Sequence, residues 1–164
     1  KTSSLQGDKA ILPILQRMGA KLEEGPESLT IHPSSLHGIR IDASDCPDLV
    51  PILSVAAALA KGTTEIIHAE RLRLKECDRL KAMASELTKM GAHIEERPDG
   101  LIIRGVPMLH GAGADSWNDH RVAMSLAIAA TRSDGPVILT GSESVQKSYP
   151  QFWQDYESLG GKIK

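Results

Sequence analysis

The sequence predicts an α/β (α+β) fold built from repeated units of helix and strand. Amphipathic segments of helical period end at glycine, and short apolar segments lie between turn residues. The order of these segments recurs, in register, 72 residues later: Met18-Gly19-Ala20 returns as Met90-Gly91-Ala92, and Glu23-Glu24 returns as Glu95-Glu96. Because chance similarity rarely keeps its register through several loops, we interpret the chain as repeats of one mixed unit.

The first unit begins with a helix and a hairpin. Ser3 to Gly19 predicts a short strand or loop and then a helix capped by Asp8 that ends at Gly19. Strands are predicted at 21–24 and 29–31, joined by the turn residues 25–28. These elements form the predicted order helix, strand, strand.

A third strand and a second helix complete this unit. The short apolar segment 39–41 predicts the strand. Asp48 stands as an N-cap before an Ala-rich helix that runs to Ala60, and residues 65–67 form the closing strand. The predicted order is therefore helix, three strands, helix, strand.

The most unusual stretch is Arg71–Leu80, which holds three arginines, a lysine and two carboxylates. It leads into a helix whose apolar face includes Leu80 and Met83 and which ends at Gly91. Such a loop-to-helix junction suits anions, because free N–H groups and the positive end of the helix dipole face the incoming charge. Lys75 and Arg79 add two cations at i, i+4 spacing.

The repeat predicts which distant residues meet. Its 72-residue offset divides residues 1–164 into units of about 5–70 and 71–140 and a partial third unit at 141–164. Lys147 is then equivalent to Lys75, and His120 to Asp48. If the units pack around a pseudo-symmetry axis, equivalent positions face the same end of the domain. The residues expected to gather there are Asp48, Lys75, Glu76, Arg79, His120, Arg121 and Lys147.

Composition argues against several classes of partner and site. The net charge of -2 gives no overall bias towards nucleic acid or a membrane surface, so any anion site is local. The apolar run 49–60 is too short to cross a bilayer. Cys46 and Cys77 lie in no metal-ligand spacing and indicate reduced thiols in the cytoplasm. We expect no metal site, no nucleic-acid partner and no membrane partner.

Three motifs, in this order, resemble those of 5-enolpyruvylshikimate-3-phosphate synthase. Leu74-Lys75-Glu76-Cys77-Asp78-Arg79-Leu80 is similar to its Lys-Glu-(Ser/Thr)-Asp-Arg motif, with Cys77 in place of a hydroxyl residue. Asn118-Asp119-His120-Arg121 resembles its Asp-His-Arg motif. Lys147-Ser148-Tyr149-Pro150 resembles its Lys-(Ser/Thr)-aromatic-Pro motif. The resemblance covers essentially all of the chain but only the C-terminal part of that enzyme.

The resemblance implies a fold of two lobes. Each lobe consists of three βαβαββ units arranged as an inside-out α/β barrel, with helices inside and sheets outside. The chain corresponds to one such lobe. The N-terminal lobe, which is expected to be absent here and to act as the partner of this one, supplies most shikimate-phosphate contacts. The abrupt start at Lys1-Thr2-Ser3-Ser4 agrees with a piece of a longer protein.

The resemblance also implies an activity. The family transfers the enolpyruvyl group of phosphoenolpyruvate to the 5-hydroxyl of shikimate 3-phosphate, and releases phosphate, in aromatic amino acid biosynthesis. No cofactor is needed, because the protonated enol ether is itself an electrophile. By motif, the residues that bind phosphoenolpyruvate are Lys75, Arg79, Arg121 and Lys147.

Roles in catalysis follow from the same motifs. The resemblance assigns Asp48 as the base for the 5-hydroxyl, and Asp48 and Lys75 as contacts of shikimate 3-phosphate. It assigns proton transfer at the methylene carbon to Glu76 with Lys75. The supporting residues are His120, Asp119 and Arg73.

Simpler roles for the same residues stay open at this point. The four cations could form a solvated surface, Asp48 could also cap a helix, and Glu76 could pair with Arg79 at i, i+3. Arg73 serves either the fold or the site. Two other functions are considered: a lobe of UDP-N-acetylglucosamine enolpyruvyl transferase, and a non-catalytic anion-binding lobe.

Overall fold

The predicted order of helices and strands is present twice in the computed structural model, which describes residues 7–164. The first set is α1 (Ile11–Arg17), β1 (Lys21–Glu24), β2 (Leu29–His32), β3 (Arg40–Asp42), α2 (Val50–Ala58) and β4 (Thr63–Ile67). The second set is α3 (Arg79–Lys89), β5 (His93–Arg97), β6 (Gly100–Arg104), β7 (Gly113–Asp115), α4 (His120–Ala130) and β8 (Ile138–Thr140), followed by α5 (Phe152–Ser158). The strand or loop predicted from Ser3 begins outside the described residues.

Corresponding elements of the two sets end at nearly constant separation. α1 ends at Arg17 and α3 at Lys89, and each is followed by a glycine with positive φ, Gly19 at 97° and Gly91 at 88°. A 3-10 turn follows the last strand of each set, at Glu70–Leu74 and Ser142–Lys147. The division into units at about 5–70, 71–140 and 141–164 stays a prediction.

The predicted correspondence between the loops before α2 and α4 is wrong by one residue. The segment between β2 and β3 is residues 33–39, whereas that between β6 and β7 is residues 105–112, one residue longer. The N–H of Cys46 donates to the Ala43 carbonyl, and that of Asp119 to the Ser116 carbonyl. Cys46 therefore corresponds to Asp119, and Asp48 falls at the position of Arg121 instead of His120.

The sheets join the two sets. β1 and β2 form an antiparallel hairpin, as predicted, and β7 and β8 pair in parallel. The four-stranded sheet has the order β3-β4-β6-β5, in which β3 and β4 are parallel and the other pairs antiparallel. Its central pair, β4 and β6, places Ile66 opposite Leu101. The second set thus completes the sheet that the first set begins.

Helices form the inner layer and sheets the outer layer, as the fold class predicts. α2 packs against both α3 and α4, and most of its residues are buried. The predicted apolar face of α3 is fully buried, including Leu80, Met83, Leu87 and Met90. A smaller apolar cluster joins α5 to α4 through Phe152 and Ala123. This arrangement brings the N-termini of the inner helices towards a common region.

Two predicted helix caps are wrong. α1 begins only at Ile11, after a 3-10 turn at Gly7–Ala10, and Asp8 lies within that turn. Asp48 lies within a second 3-10 turn that leads into α2, and its side chain caps nothing. In this second turn the main-chain carbonyls of Cys46 and Pro47 accept from the first N–H groups, so no side-chain acceptor is needed.

Three glycine-to-alanine variants separate backbone strain from steric clash. A Cβ on Gly91 would lie 2.6 Å from His110, in a left-handed backbone. Gly62 has the same left-handed backbone but open space, and Gly113 has open space without a positive φ. We expect Gly91→Ala to lower the free energy of unfolding by more than about 1–2 kcal/mol, Gly62→Ala by about that amount, and Gly113→Ala by almost nothing. Urea unfolding of the three variants measures the order, and equal effects at Gly91 and Gly113 would contradict it.

Candidate functional site

Arg79, the first residue of α3, is the centre of a network of charged side chains. Its side chain is only 2% exposed. Each guanidinium nitrogen donates to a different carboxylate: Nε to Asp119 (2.8 Å), Nη1 to Asp48 (2.9 Å) and Nη2 to Glu76 (2.7 Å). These acids come from the turn before α2, the loop before α3 and the loop before α4. Arg79 therefore links its own segment to the turn before α2 and to the loop before α4, both distant in sequence.

Asp48 gathers two more cations on the same side. Lys75 Nζ lies 3.3 Å from its Oδ1, and Arg121 Nη2 lies 3.6 Å from its Oδ2. Partial burial opposes ionisation, but the charge of Arg121, the hydrogen bond from Lys75 and the nearby charges hold the pKa of the Asp48 carboxyl below its ordinary value. Asp48 is thus an ionised carboxylate surrounded by positive charge.

Two helix N-termini face this network. Asp78 caps α3, where its Oδ1 accepts from the N–H of Lys81 (3.0 Å). Asp119 caps α4 and accepts from the N–H groups of Arg121 (2.8 Å) and Val122 (3.2 Å), while its other oxygen accepts from Arg79. The positive ends of both helix dipoles therefore add to the positive potential.

His120 and Glu76 approach each other beside Arg79. His120 is 12% exposed, and its Nδ1 lies 3.8 Å from Glu76 Oε1, too far for a hydrogen bond. Among the described residues this Nδ1 is buried and has no hydrogen-bond partner. Glu76 is more exposed, at 40%, and lies at the rim of the network.

Lys147 lies at the edge of the network. Its Nζ donates to Asn118 Oδ1 at 2.9 Å and to the Asn118 carbonyl. Asn118 immediately precedes Asp119, so Lys147 connects to the site through the loop before α4. The residues expected to gather thus share one region. Lys147 does not contact Arg79 or its carboxylates directly; it bonds Asn118, the neighbour of Asp119.

The side chain of Arg73 points away from the Arg79 network. Its Nη1 donates to Asp78 and Glu96, its Nη2 to the Arg97 carbonyl and its Nε to the Pro98 carbonyl. These bonds tie the loop before α3 to the turn between β5 and β6. Of the two roles left open by the sequence, the geometry favours the fold, and its one link to the site is through Asp78.

Two features of the region were missed by sequence reasoning. Glu86 is 1% exposed and accepts a hydrogen bond from the indole of Trp117 in the loop before α4. Cys77 lies 3.8 Å from Asp119, and burial together with that negative charge raises the pKa of its thiol to about 12. The available signal for Glu86 was its spacing of two helical turns from Arg79.

This arrangement can bind a small anion beside a carboxylate. Lys75 and Arg121 expose about a third of their side chains at the surface of the network, next to Asp48 and Glu76. Within residues 7–164, no three or more His, Cys, Asp or Glu side chains are grouped so as to hold a metal ion. In the same residues no helix is both long and apolar enough to cross a membrane.

Known proteins resemble this chain over nearly its whole length. The family model for EPSP synthase (3-phosphoshikimate 1-carboxyvinyltransferase) matches residues 1–156. The 3-phosphoshikimate 1-carboxyvinyltransferases of Clostridium novyi and Clostridium acetobutylicum are each 59% identical, over 98% of this chain and 37% of their own length. The structure of EPSP synthase from Acinetobacter baumannii superposes with a TM-score of 0.84 at 33% identity, over 94% of this chain and 39% of that one. The chain thus spans less than two-fifths of these relatives.

Removing the central guanidinium tests the network. Arg79→Ala leaves three carboxylates without their shared cation, two of them in partly or fully buried positions. We expect the free energy of unfolding at neutral pH to fall by about 3–5 kcal/mol. Arg71→Ala, at an exposed position of the same segment, is the matched control and should change it by less than about 0.5 kcal/mol. A similar loss of unfolding free energy in the two variants would show that the Arg79 network does not stabilise the fold.

Proposed function

The chain belongs to the EPSP synthase family, and we propose that it carries part of the active site of an enolpyruvyl transferase. The observation that carries this proposal is the convergence of Lys75, Arg121, Asp48 and Glu76 around Arg79, at the N-termini of α3 and α4. This region offers an anionic substrate both cations to bind it and a carboxylate able to accept a proton.

The proposed reaction is the transfer of the enolpyruvyl group of phosphoenolpyruvate to the 5-hydroxyl of shikimate 3-phosphate. Protonation of the methylene carbon makes the adjacent carbon electrophilic, and the hydroxyl oxygen attacks it. Loss of phosphate and of one methyl proton then restores the double bond. These steps form one C–O bond, break another and move protons without oxidation or reduction, so the proposed reaction uses no cofactor.

Phosphoenolpyruvate is assigned to the exposed cations. Lys75, Arg121 and Lys147 meet its carboxylate and phosphate with ammonium and guanidinium donors. Arg79 is assigned to the same substrate, but its three nitrogens are already paired with carboxylates. Contact between Arg79 and the substrate therefore requires Glu76 or Asp48 to give way.

Asp48 is assigned as the base that accepts the proton of the 5-hydroxyl, and with Lys75 it contacts shikimate 3-phosphate. Its charged neighbours lower its pKa and so weaken it as a base. If a bound phosphoenolpyruvate draws Lys75 and Arg121 to itself, this stabilisation is lost and the pKa of Asp48 rises. Binding of one substrate thereby prepares the base for the other.

Glu76, with Lys75, is assigned to proton transfer at the methylene carbon. Its exposure of 40% leaves one oxygen accessible while Arg79 fixes the other. His120, Asp119 and Arg73 are assigned supporting roles: His120 beside Glu76, Asp119 against Arg79, and Arg73 in the loop that carries Lys75.

The rest of the active site is assigned to protein outside this chain. Because the chain spans 37% of its Clostridium relatives, we infer that an N-terminal lobe supplies most contacts to shikimate 3-phosphate. The names of these relatives favour this reaction over transfer to UDP-N-acetylglucosamine. A lobe that only binds anions is the remaining alternative. Both cysteines are free, which suits the proposed cytoplasmic location.

A chimaera tests the function of these residues in a whole enzyme. This chain replaces the matching segment of the Clostridium novyi relative, and phosphate release from phosphoenolpyruvate with shikimate 3-phosphate is measured. We expect turnover by the chimaera, and a loss of at least about 100-fold in kcat/KM for Lys75→Ala and for Glu76→Ala, because each removes a group that acts in the transition state. Lys61→Ala, an exposed lysine in the short segment between α2 and β4, is the matched control and should be unchanged.

The outcomes separate the alternatives. A folded chimaera that binds phosphoenolpyruvate but releases no phosphate would favour the anion-binding lobe. Full activity of Lys75→Ala would reject its assignment to substrate.

The chain alone is expected not to turn over. Both substrates must be held in line and shielded from water, and the proposed site is only partly formed by these residues. We expect weak binding of phosphoenolpyruvate by calorimetry and no phosphate release, with activity restored when the N-terminal part is added as a separate polypeptide. Robust phosphate release by the chain alone would contradict the proposed division of the site.

A further inference from the structure

Glu86 is a buried carboxylate that the proposed reaction does not use. It lies on α3, two turns after Arg79, and is 1% exposed. Its Oε1 accepts from the indole Nε1 of Trp117 (2.9 Å), and its Oε2 accepts from the N–H of Asp115 (3.0 Å). Lys89 Nζ bonds both oxygens from the surface side, at 2.9 and 2.7 Å. Each carboxylate oxygen therefore has one partner in the segment 115–117, which spans the end of β7 and the loop before α4, and another on its own helix.

The loop that Glu86 holds is conformationally costly. Trp117 and Asn118 both have positive φ, 53° and 54°, which side chains other than glycine rarely adopt. Such a backbone persists only when surrounding contacts impose it. Short bonds inside the loop also contribute, since Asp115 accepts from the N–H of Trp117 and Ser116 from that of Asn118. Glu86 adds bonds to this loop from a different element, which fixes its position relative to α3.

This loop delivers two groups of the site. Asn118 accepts from Lys147, and the next residue, Asp119, accepts from Arg79 and caps α4. α3 thus holds the segment at two points: Glu86 bonds Asp115 and Trp117, and Arg79 bonds Asp119 after the strained pair. A shift of residues 115–118 would move both the partner of Lys147 and the N-terminus of α4.

The fold by itself does not require a carboxylate at this position. Ile14 precedes the end of α1 by three residues, as Glu86 precedes the end of α3, and it is an apolar core residue, 6% exposed. The loop before α2, which corresponds to residues 115–118, contains neither tryptophan nor a non-glycine residue of positive φ. The buried charge accompanies the strained loop, and both occur in the set of elements that carries Asp119, His120 and Arg121.

We propose that Glu86 is a positioning residue that locks the loop 115–118 against α3 and thereby sets the placement of Asp119, Arg121 and Lys147. The effect on catalysis rests on the proposed function, whereas the effect on the geometry does not. The Trp117 indole and the Asp115 N–H each donate to Glu86 in a partly buried position. Without the carboxylate they share at most one acceptor, so the loop opens more readily.

Hydrogen exchange resolved by NMR tests the geometry without any ligand. In Glu86→Gln, the amides of Arg121 and Val122, which donate to Asp119, should exchange roughly tenfold faster or more. The amide of Lys81, which donates to Asp78, and those of β4 and β6 should stay within about twofold. Unchanged exchange at Arg121 and Val122, or an equal increase at β4 and β6, would overturn the proposal.

Matched variants keep this test interpretable if Glu86→Gln folds poorly. Trp117→Phe keeps the ring volume and removes only the indole donor, and it should raise exchange at the same two amides. Trp153→Phe removes an indole bond to the Ser142 carbonyl instead, and Glu95→Gln changes an exposed carboxylate; neither should raise it. An effect of Trp153→Phe equal to that of Trp117→Phe would also overturn the proposal.

A kinetic readout in the chimaera links the geometry to function. Glu86→Gln should lower kcat by about tenfold or more while the midpoint of urea unfolding falls much less than in Arg79→Ala, because the site is displaced and the core is kept. Failure of the unmodified chimaera to turn over would count against the proposed function, and the exchange result would still decide the role of Glu86. Normal kcat in a Glu86→Gln chimaera that shows faster exchange would reject the catalytic part.

Discussion

The structure depends on the burial of one guanidinium. A guanidinium group carries a positive charge, and a buried charge is tolerated only when it is paired and hydrogen-bonded. Its three nitrogens meet Asp48, Glu76 and Asp119, and these acids lie at the starts of three different helical segments. The requirement to satisfy Arg79 therefore aligns α2, α3 and α4. The same requirement places carboxylates beside Lys75 and Arg121.

The repeated architecture supplies a scaffold, and the chemistry lies where the two sets of elements differ. Each set ends its first helix at a left-handed glycine and follows its last strand with a 3-10 turn that leads to a lysine, Lys75 or Lys147. The second set carries Arg79 and Glu86 on α3, where α1 of the first set is mostly apolar. It also carries the cation Arg121 at the start of α4, at the position where the first set has the carboxylate of Asp48. Two similar units thus make one asymmetric site.

Much of this was predictable from sequence, because helix period and turn residues are local signals and the 72-residue repeat is visible in the sequence itself. They predicted the order of elements, the buried face of α3 and the gathering of six charged residues and His120 in one region. Burial of charge was not predictable in the same way. Arg79 and Glu86 read as surface residues of an amphipathic helix, and only partners about 30 to 40 residues away, Asp48, Asp119 and Trp117, draw them inside. The caps at Asp8 and Asp48 failed because each of these residues lies within a 3-10 turn. In the turn before α2, main-chain carbonyls accept from the first N–H groups.

The pairing of the cations with the site's own carboxylates shapes how an anion can bind. Lys75 and Arg121 are held by Asp48 before any ligand arrives, so a bound anion competes with a carboxylate for them. Binding an anion at these two cations therefore weakens their ion pairs with Asp48, and the new contacts must offset that loss. It also leaves Asp48 with fewer positive neighbours at the moment when the proposed reaction needs a base. In the proposed reaction, anion binding and the base strength of Asp48 are thus linked through the same side chains. Arg79, whose Nε is bound to Asp119, keeps Asp48 in place while the other partners of Asp48 change.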